Sequence, residues 1–457
     1  MRKFWSVMLA VGLAPAPAMA DTLADALAAA YRTNPTLDGA RQEARQADEG
    51  FAQARAGFLP QVGVSGEYAT QLRITETEAP AGSTRTKSTI EPQSASVSAS
   101  QSLFEGGRRL AQIGLANAQI RGAQEGLRST EQSVLLQVIS AYVTVQRDAE
   151  SVRIRENNVR LLERQLQASK DRFEVGEITR TDVAQSEARL SGALAGLAGA
   201  RANYEASLAD YVRVVGQPAN ALEPAPAAVG LPATLDEAVA IALDLNPELR
   251  LFKENEAAAR QQVRIARADL LPQLSIVGRM ARDIDQNIPG VTSDTQSAAA
   301  QITIPLFEGG FARSRTRQAR IGVLLAQART EEVRRGVVSQ TTSAWNDYAA
   351  ALRVTEASRA QVKANKLALE GVDQEQQVGL RTTLDVLNAQ QELLDSQLAL
   401  VGAERDAYVA AHALLLSIGK LDARTLGVNA PLYDPEDHRR AVSFTILSTR
   451  PARDRDD

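Results

Sequence analysis

Cysteine is absent from all 457 residues, which excludes disulfides, thiolate metal sites, cysteine nucleophiles and a lipid-bearing N-terminal cysteine together. Histidine is nearly absent too. Only His412 and His438 could act as imidazole bases, and neither sits in a Ser/His/Asp or metal-ligand spacing, so the residues give an enzyme no machinery. No apolar run is long enough to cross a bilayer as a helix, which takes about 20 residues; the longest, Phe4 to Ala14, falls well short. Arg2 and Lys3 precede that run, and Ala18-Met19-Ala20 follows a Pro-Ala-Pro. It therefore reads as a cleavable secretory signal over residues 1–20, with Asp21 as the mature start. Without Arg2 and Lys3, 49 basic residues face 55 acidic ones. Such a mildly acidic chain carries no footprint for nucleic acid.

What the chain does have is a duplication, the feature to seek before any motif is read. Thr22-Leu23, Ala26 and Asn34-Pro35 recur as Thr234-Leu235, Ala238 and Asn246-Pro247, and Leu59-Pro60-Gln61 recurs as Leu271-Pro272-Gln273, each displaced by 212 positions. Leu103-Phe104-Glu105-Gly106-Gly107 returns as Leu306-Phe307-Glu308-Gly309-Gly310, and Phe173-Glu174-Val175-Gly176 answers Gln376-Gln377-Val378-Gly379, both displaced by 203. A nine-residue length difference thus lies between Pro60 and Phe104. The expected organisation is a first repeat over 21–217, a Pro- and Ala-rich linker over 218–233, a second repeat over 234–420, and an equatorial C-terminal segment over 421–457. That segment, including Pro431 to Asp457, does not align with the repeat, and its charged end, where His438 falls, reads as a disordered tail.

Within each half the apolar period switches. From Pro60 it is two: Val62, Val64, Tyr68, Leu72 and Ile74 share a face, and Ala95, Val97, Ala99 and Leu103 alternate with Ser94, Ser96, Ser98, Ser100 and Ser102. The second half repeats this with Leu274, Ile276, Met280 and Ile284, then Ala298, Ala300, Ile302 and Ile304. Each half thus carries one hairpin whose strands reach the 9–11 residues or so that a membrane strand needs. Its turns fall near Pro80 to Ser88 and Asn287 to Thr295. Between Arg108 and Glu174, and between Phe311 and Gln377, there is no proline, so each run reads as one helix. At 1.5 Å per residue, some 65 residues extend about 100 Å. Helices return from the Val-Gly tips to Gly216 and Gly419. In the last, Leu387, Leu394, Val401, Tyr408 and Leu415 recur every seventh residue, a coiled-coil spacing.

The paired glycines, Gly106-Gly107 and Gly309-Gly310, lack the P-loop Lys-Ser/Thr and the dinucleotide fingerprint. With Pro60, Phe104, Pro272 and Phe307 they read as strand-to-helix joints that need backbone freedom. Four strands cannot close on themselves, because small outer-membrane barrels have about eight and an open edge in lipid leaves backbone groups unpaired. Several copies must pool their strands, and the physics alone leaves two, three or four chains open. A periplasmic helical scaffold or adaptor that never enters the membrane is the competing reading.

The order of helix, Leu-Pro-Gln strand, strand ending in Leu-Phe-Glu-Gly-Gly, long helix, Val-Gly tip and returning helix, written twice after a signal, resembles the TolC family over nearly the whole mature chain. The resemblance implies a mostly α chain with membrane β-strands. It implies a homotrimer with a twelve-stranded outer-membrane β-barrel continuous with a periplasmic α-helical barrel. It implies an exit duct for efflux or type I secretion that works without cofactor or metal, with outer-membrane lipid around it. Its partners would be a periplasmic adaptor and an inner-membrane pump, and its cargo exported small molecules or a polypeptide, between which the sequence does not choose. Val175, Gly176, Glu177, Ile178, Val378, Gly379 and Leu380 would be the tips that the adaptor contacts. Asp385 matches the first of two aspartates that ring the family's periplasmic entrance, and Asn388 stands where the second would be. Arg381 matches an arginine that links to the pair matching Thr181 and Asp182, and the family's gate tyrosine falls at Gln376. From the residues alone, Asp385 reads as a first-turn cap.

Overall fold

The computed structural model describes residues 21–80, 82–286, 290–442 and 448–449. The signal segment over 1–20, residues 443–447 and 450–457 of the expected tail, and parts of both strand turns (Ala81 and 287–289) lie outside the described residues.

The repeated motifs are helix boundaries. Thr22 caps α1 (Leu23–Thr33) through a reciprocal box with Asp25, and Thr234 caps α5 (Leu235–Leu245) by accepting from the Glu237 amide. Asn34 and Asn246 end those helices, and Pro35 and Pro247 begin α2 (Pro35–Ala56) and α6 (Pro247–Ala268), where the missing N–H of proline costs nothing. The two proline-free runs are α3 (Arg108–Glu174) and α7 (Phe311–Gln377), each with the ends that the sequence suggests. The returning helices are α4 (Arg180–Val215) and α8 (Thr383–Ser417). Along α8 the seven-residue seam is buried at Leu387, Leu394 and Leu415 and half-buried at Val401 and Tyr408.

Two compact units form, and each takes segments from both halves of the chain. One gathers the residues up to Ala40, Leu127–Pro247 and Arg335–Tyr433. Its core includes Tyr142, Tyr211, Leu414, Leu415 and Ile418. Here the repeated asparagines act: the side-chain amide of Asn34 donates to the Val214 carbonyl, and that of Asn246 to the Ser417 carbonyl, both at 3.0 Å. Each returning helix is thereby pinned to a helix corner. The linker is stitched down too, because the Asp21 amide donates to the Ala221 carbonyl and the Glu223 amide to the Asp21 carbonyl. The Tyr142 hydroxyl lies 2.9 and 2.7 Å from the Asp21 and Glu223 carbonyls.

The other unit comprises Arg41–Gly126, Glu248–Arg334 and the chain from Asp434. It holds a four-stranded antiparallel sheet in the order β1 (Gln61–Tyr68), β4 (Gln93–Glu105), β5 (Gln273–Ile284), β6 (Thr292–Thr303). The first hairpin departs from the expectation of two unbroken strands. Pairing stops after Tyr68 with Gln93 and resumes at Gln71 with Ile90, giving a separate ribbon of β2 (Gln71–Ala79) and β3 (Gly82–Ile90). Pro92 interrupts the ladder because it has no N–H to donate, although its carbonyl still accepts from Ala69. The turn between Pro80 and Ser88 is correspondingly narrower than expected, since β3 already begins at Gly82. This ribbon has no counterpart between β5 and β6 among the described residues, and it accounts for the longer first half.

A second correction concerns the tail. Pro435–Val442 form a helix, α9, with His438 and Val442 buried.

Candidate functional site

In the sheet unit, directly paired residues of antiparallel strands share a face. Val64 pairs with Val97 and Val97 with Met280, while Ile276 pairs with Ala300 and Leu274 with Ile302, so the apolar positions of the four strands fall on one face, which also carries Gln296 opposite Met280 and the Arg282–Asp294 ion pair. A bulge between Ser102 and Phe104 passes over Leu103 and brings Phe104 opposite Leu274, so Phe104, rather than the expected Leu103, pairs on the apolar side. Val62, Val64, Ile276 and Met280 of this face are exposed in the protomer. The opposite face carries Ser94, Ser96, Ser98 and Ser100. One face suited to lipid and one to water is the signature of a barrel wall.

The joints are tied by a residue that the sequence reading passed over. Asp269, just before Leu271-Pro272, receives Arg108, which follows Gly106-Gly107, on one carboxylate oxygen and Arg315 on the other. Its counterpart in the first half is Gly57, which has no side chain to offer. Gly106 sits at φ +59 and Gly309 at φ +61, conformations that glycine adopts without steric cost. Pro60, Gly107, Pro272, Phe307 and Gly310 fall at these same junctions, between the ends of α2, α6, β4 and β6 and the starts of their neighbours.

At the tips, in the first unit, Gly176 and Gly379 end the long helices with φ near +81 and +82. The Glu177 amide bonds to the Arg172 carbonyl, and the Leu380 amide to the Glu375 carbonyl. Both are Schellman closures. Val175, Val378 and Leu380 are exposed beyond them, at 72%, 71% and 76%, with Ile178 half-buried. The returning helices start in matching capping boxes: Asp182 Oδ2 accepts from the Thr179 amide and hydroxyl at 2.9 and 2.8 Å, and Asp385 Oδ2 from those of Thr382 at the same distances. The bonds from Thr382 hold the Asp385 carboxyl below the ordinary carboxylate range, with nearby Arg381 adding a smaller pull. Asp385 therefore stays ionised throughout the neutral range.

The implied link from Arg381 to Thr181 and Asp182 is not made within this protomer. Among the described residues Arg381 Nε donates instead to Glu375 Oε2 at 2.8 Å, across its own tip turn. That turn brings residues six apart into ion-pair reach, whereas Asp182 is occupied by Thr179. Asn388 accepts from Arg189 of α4 at 2.8 Å, a contact that sequence spacing could not reveal. Gln376 lies 3.5 Å from the Thr383 hydroxyl.

Neither histidine offers a catalytic base. His412 is buried against Tyr408, with ring centroids 4.6 Å apart. Burial pushes its pKa down, and neutral Nδ1–H can donate to the Tyr408 carbonyl 2.9 Å away. His438 is paired with Asp48 of α2 at 3.0 Å, both buried. Burial drives the Asp48 carboxyl above its usual range against the opposing pull of His438.

The profile of the outer membrane efflux protein family matches residues 26–217 and again 238–420. The chain belongs to that family. Among its relatives, the outer membrane efflux protein BepC of Brucella suis is 36% identical over 93% of this chain and 91% of its own. The outer membrane protein TolC of Vibrio cholerae is 26% identical over 93% and 97%. The alkaline protease secretion protein AprF of Pseudomonas aeruginosa is 27% identical over 68% and 66%. The solved VceC outer membrane protein of Vibrio cholerae superposes with a TM-score of 0.73 at 19% identity, covering 87% of this chain and 96% of that one. The duplicated helical and strand fold is therefore that of the family. This efflux family member is an outer-membrane exit duct of the efflux and type I secretion kind, its helical part periplasmic. The periplasmic scaffold reading falls.

Proposed function

We propose that three copies of this chain close one twelve-stranded barrel, forming a passive, cofactor-free conduit that is gated at its periplasmic tips. The observation that carries the reading is the sheet order: β1 and β6 are its edges, and each has only one neighbour among the described strands. Such edges need partners in lipid, and three copies give the count implied for the family. The mass of the protein in detergent tests this. A trimer is expected, and a stable folded monomer would overturn it.

The exposed tips around Gly176 and Gly379 are the surface we assign to a periplasmic adaptor, which would join the duct to an inner-membrane pump. Relatives are named for efflux and for protease secretion. Both cargo classes therefore remain within the proposal. Asp385 would form a ring of three carboxylates at the entrance, with Arg381 clamping the tip turn through Glu375. Asn388 leaves that ring single. In planar bilayers Asp385→Ala should lower cation selectivity and weaken block by multivalent cations by roughly an order of magnitude, as expected when several close charges are removed at once. Unchanged selectivity and block would reduce Asp385 to a helix cap.

A further inference from the structure

The bore face of the sheet is almost free of charge, and the register shows where its few charges stand. Glu67 pairs with Ser94, and Ser94 with Asp283, so these two carboxylates share one level near the strand ends farthest from the helices. Four residues nearer the helices on β5 stands Arg279, paired with Ser98 on one side and Ser297 on the other. Gly63 completes its level beyond Ser98. Glu105, at the helix end of the face, is already bonded to Arg109 at 3.0 Å. Arg279 is exposed, and no carboxylate pairs with it among the described residues. At some 3.3 Å per residue, four residues put it about 13 Å from the Asp283 level. That exceeds the roughly 8 Å screening length at physiological salt. The guanidinium thus acts apart from the outer carboxylates, among hydroxyls and glycine.

We propose that Arg279 is a cargo-selecting residue of the barrel. One guanidinium per protomer forms a cationic level in the bore that draws small organic anions, those bearing carboxylate, sulfonate or phosphate, through the final stretch. The proposal rests on the closed-barrel reading above, because only closure turns this face into a lumen.

The cysteine-free sequence makes a direct test simple. Single Ser98→Cys and Val97→Cys variants, reconstituted in lipid vesicles, are reacted with sulfonatoethyl (anionic) and trimethylammonioethyl (cationic) methanethiosulfonates. A neighbouring guanidinium also favours the thiolate, but that effect is common to both reagents and cancels in their rate ratio. The Ser98→Cys variant should react and the Val97→Cys variant should not. Adding Arg279→Gln should lower the anionic-to-cationic ratio at position 98 by about three- to tenfold at low salt, given one unit charge at cross-strand distance in water. Arg279→Lys should keep the ratio, and about 1 M salt should abolish the difference. A ratio at position 98 that ignores Arg279→Gln would overturn the selecting role and leave the duct intact. Reaction at position 97 with none at position 98 would instead invert the faces, and the barrel reading would fall with it.

Discussion

Gly106→Ala is expected to abolish recovery of assembled channel, whereas Gly309→Ala should leave a folded channel of reduced heat stability. The two glycines occupy the same place in the repeated Phe-Glu-Gly-Gly motif and have nearly the same positive φ, +59 and +61. Each alanine therefore meets the left-handed penalty of about 1–2 kcal/mol. Only Gly106 is also crowded. A Cβ there would lie 2.7 Å from Leu271 Cβ and 2.9 Å from the Ala268 carbonyl oxygen, while at Gly309 nothing approaches within 4 Å. Backbone cannot swing aside as a long side chain can. Overpacking of this kind adds about 1–3 kcal/mol, and the joint is where strand meets helix. The yield of oligomer in detergent extracts measures both variants, and heating the purified Gly309→Ala channel beside the parent measures its lost stability. Equal losses would mean that the close approach at Gly106 is relieved elsewhere.

His438→Ala should release the C-terminal helix. The substitution leaves Asp48 buried without its imidazole partner, and a buried hydrogen-bonding group left unsatisfied costs about 1–3 kcal/mol. Helix α9 has only eight residues, too few to hold its place by helix formation alone. Its other ties include Arg439, bonded to Asn117 at 2.9 Å and set over the Phe51 ring, and a 3.3 Å contact between Glu436 and Gln124. The expected result is rapid protease cleavage after Tyr433 in an otherwise intact protein. Replacing Asp48 as well, by asparagine, should recover much of the protection, because no buried carboxylate then lacks a partner. Equal protease resistance of His438→Ala and the parent chain would show that the pair is dispensable.

The long helices were legible to their last residue because glycine joints and tips bound proline-free runs, and those signals are local. The break between β1 and β2 was not. Leu72 and Ile74 continue the alternation of Val62 and Val64, so periodicity runs straight through a point where Pro92, on the other strand, interrupts the ladder. Leu103 misled in the same way, since a bulge changes which residue pairs without changing the pattern. His438 was hidden for a different reason. Pro-Glu-Asp-His-Arg-Arg has the composition of a solvated tail, and its partner Asp48 is 390 positions away. At the tips the capping aspartates could be read from Thr-x-x-Asp spacing. The Arg381 contact with Glu375 could not, because it depends on how sharply the chain reverses at Gly379.

The two arginines that meet on Asp269 bear on how the chain came to be more than a doubled unit. Two first halves joined in tandem would hold Arg108 twice and glycine at both positions equivalent to Asp269, so each joint would carry a cation with nothing to receive it. Two second halves would hold the aspartate and Arg315 twice, so each joint would keep one arginine on its own carboxylate and lack only Arg108. The halves are thus not interchangeable: the first half offers Arg108 and depends on Asp269 of the second to receive it, whereas the second half holds both Asp269 and Arg315, so one carboxylate fastens the corners of both halves.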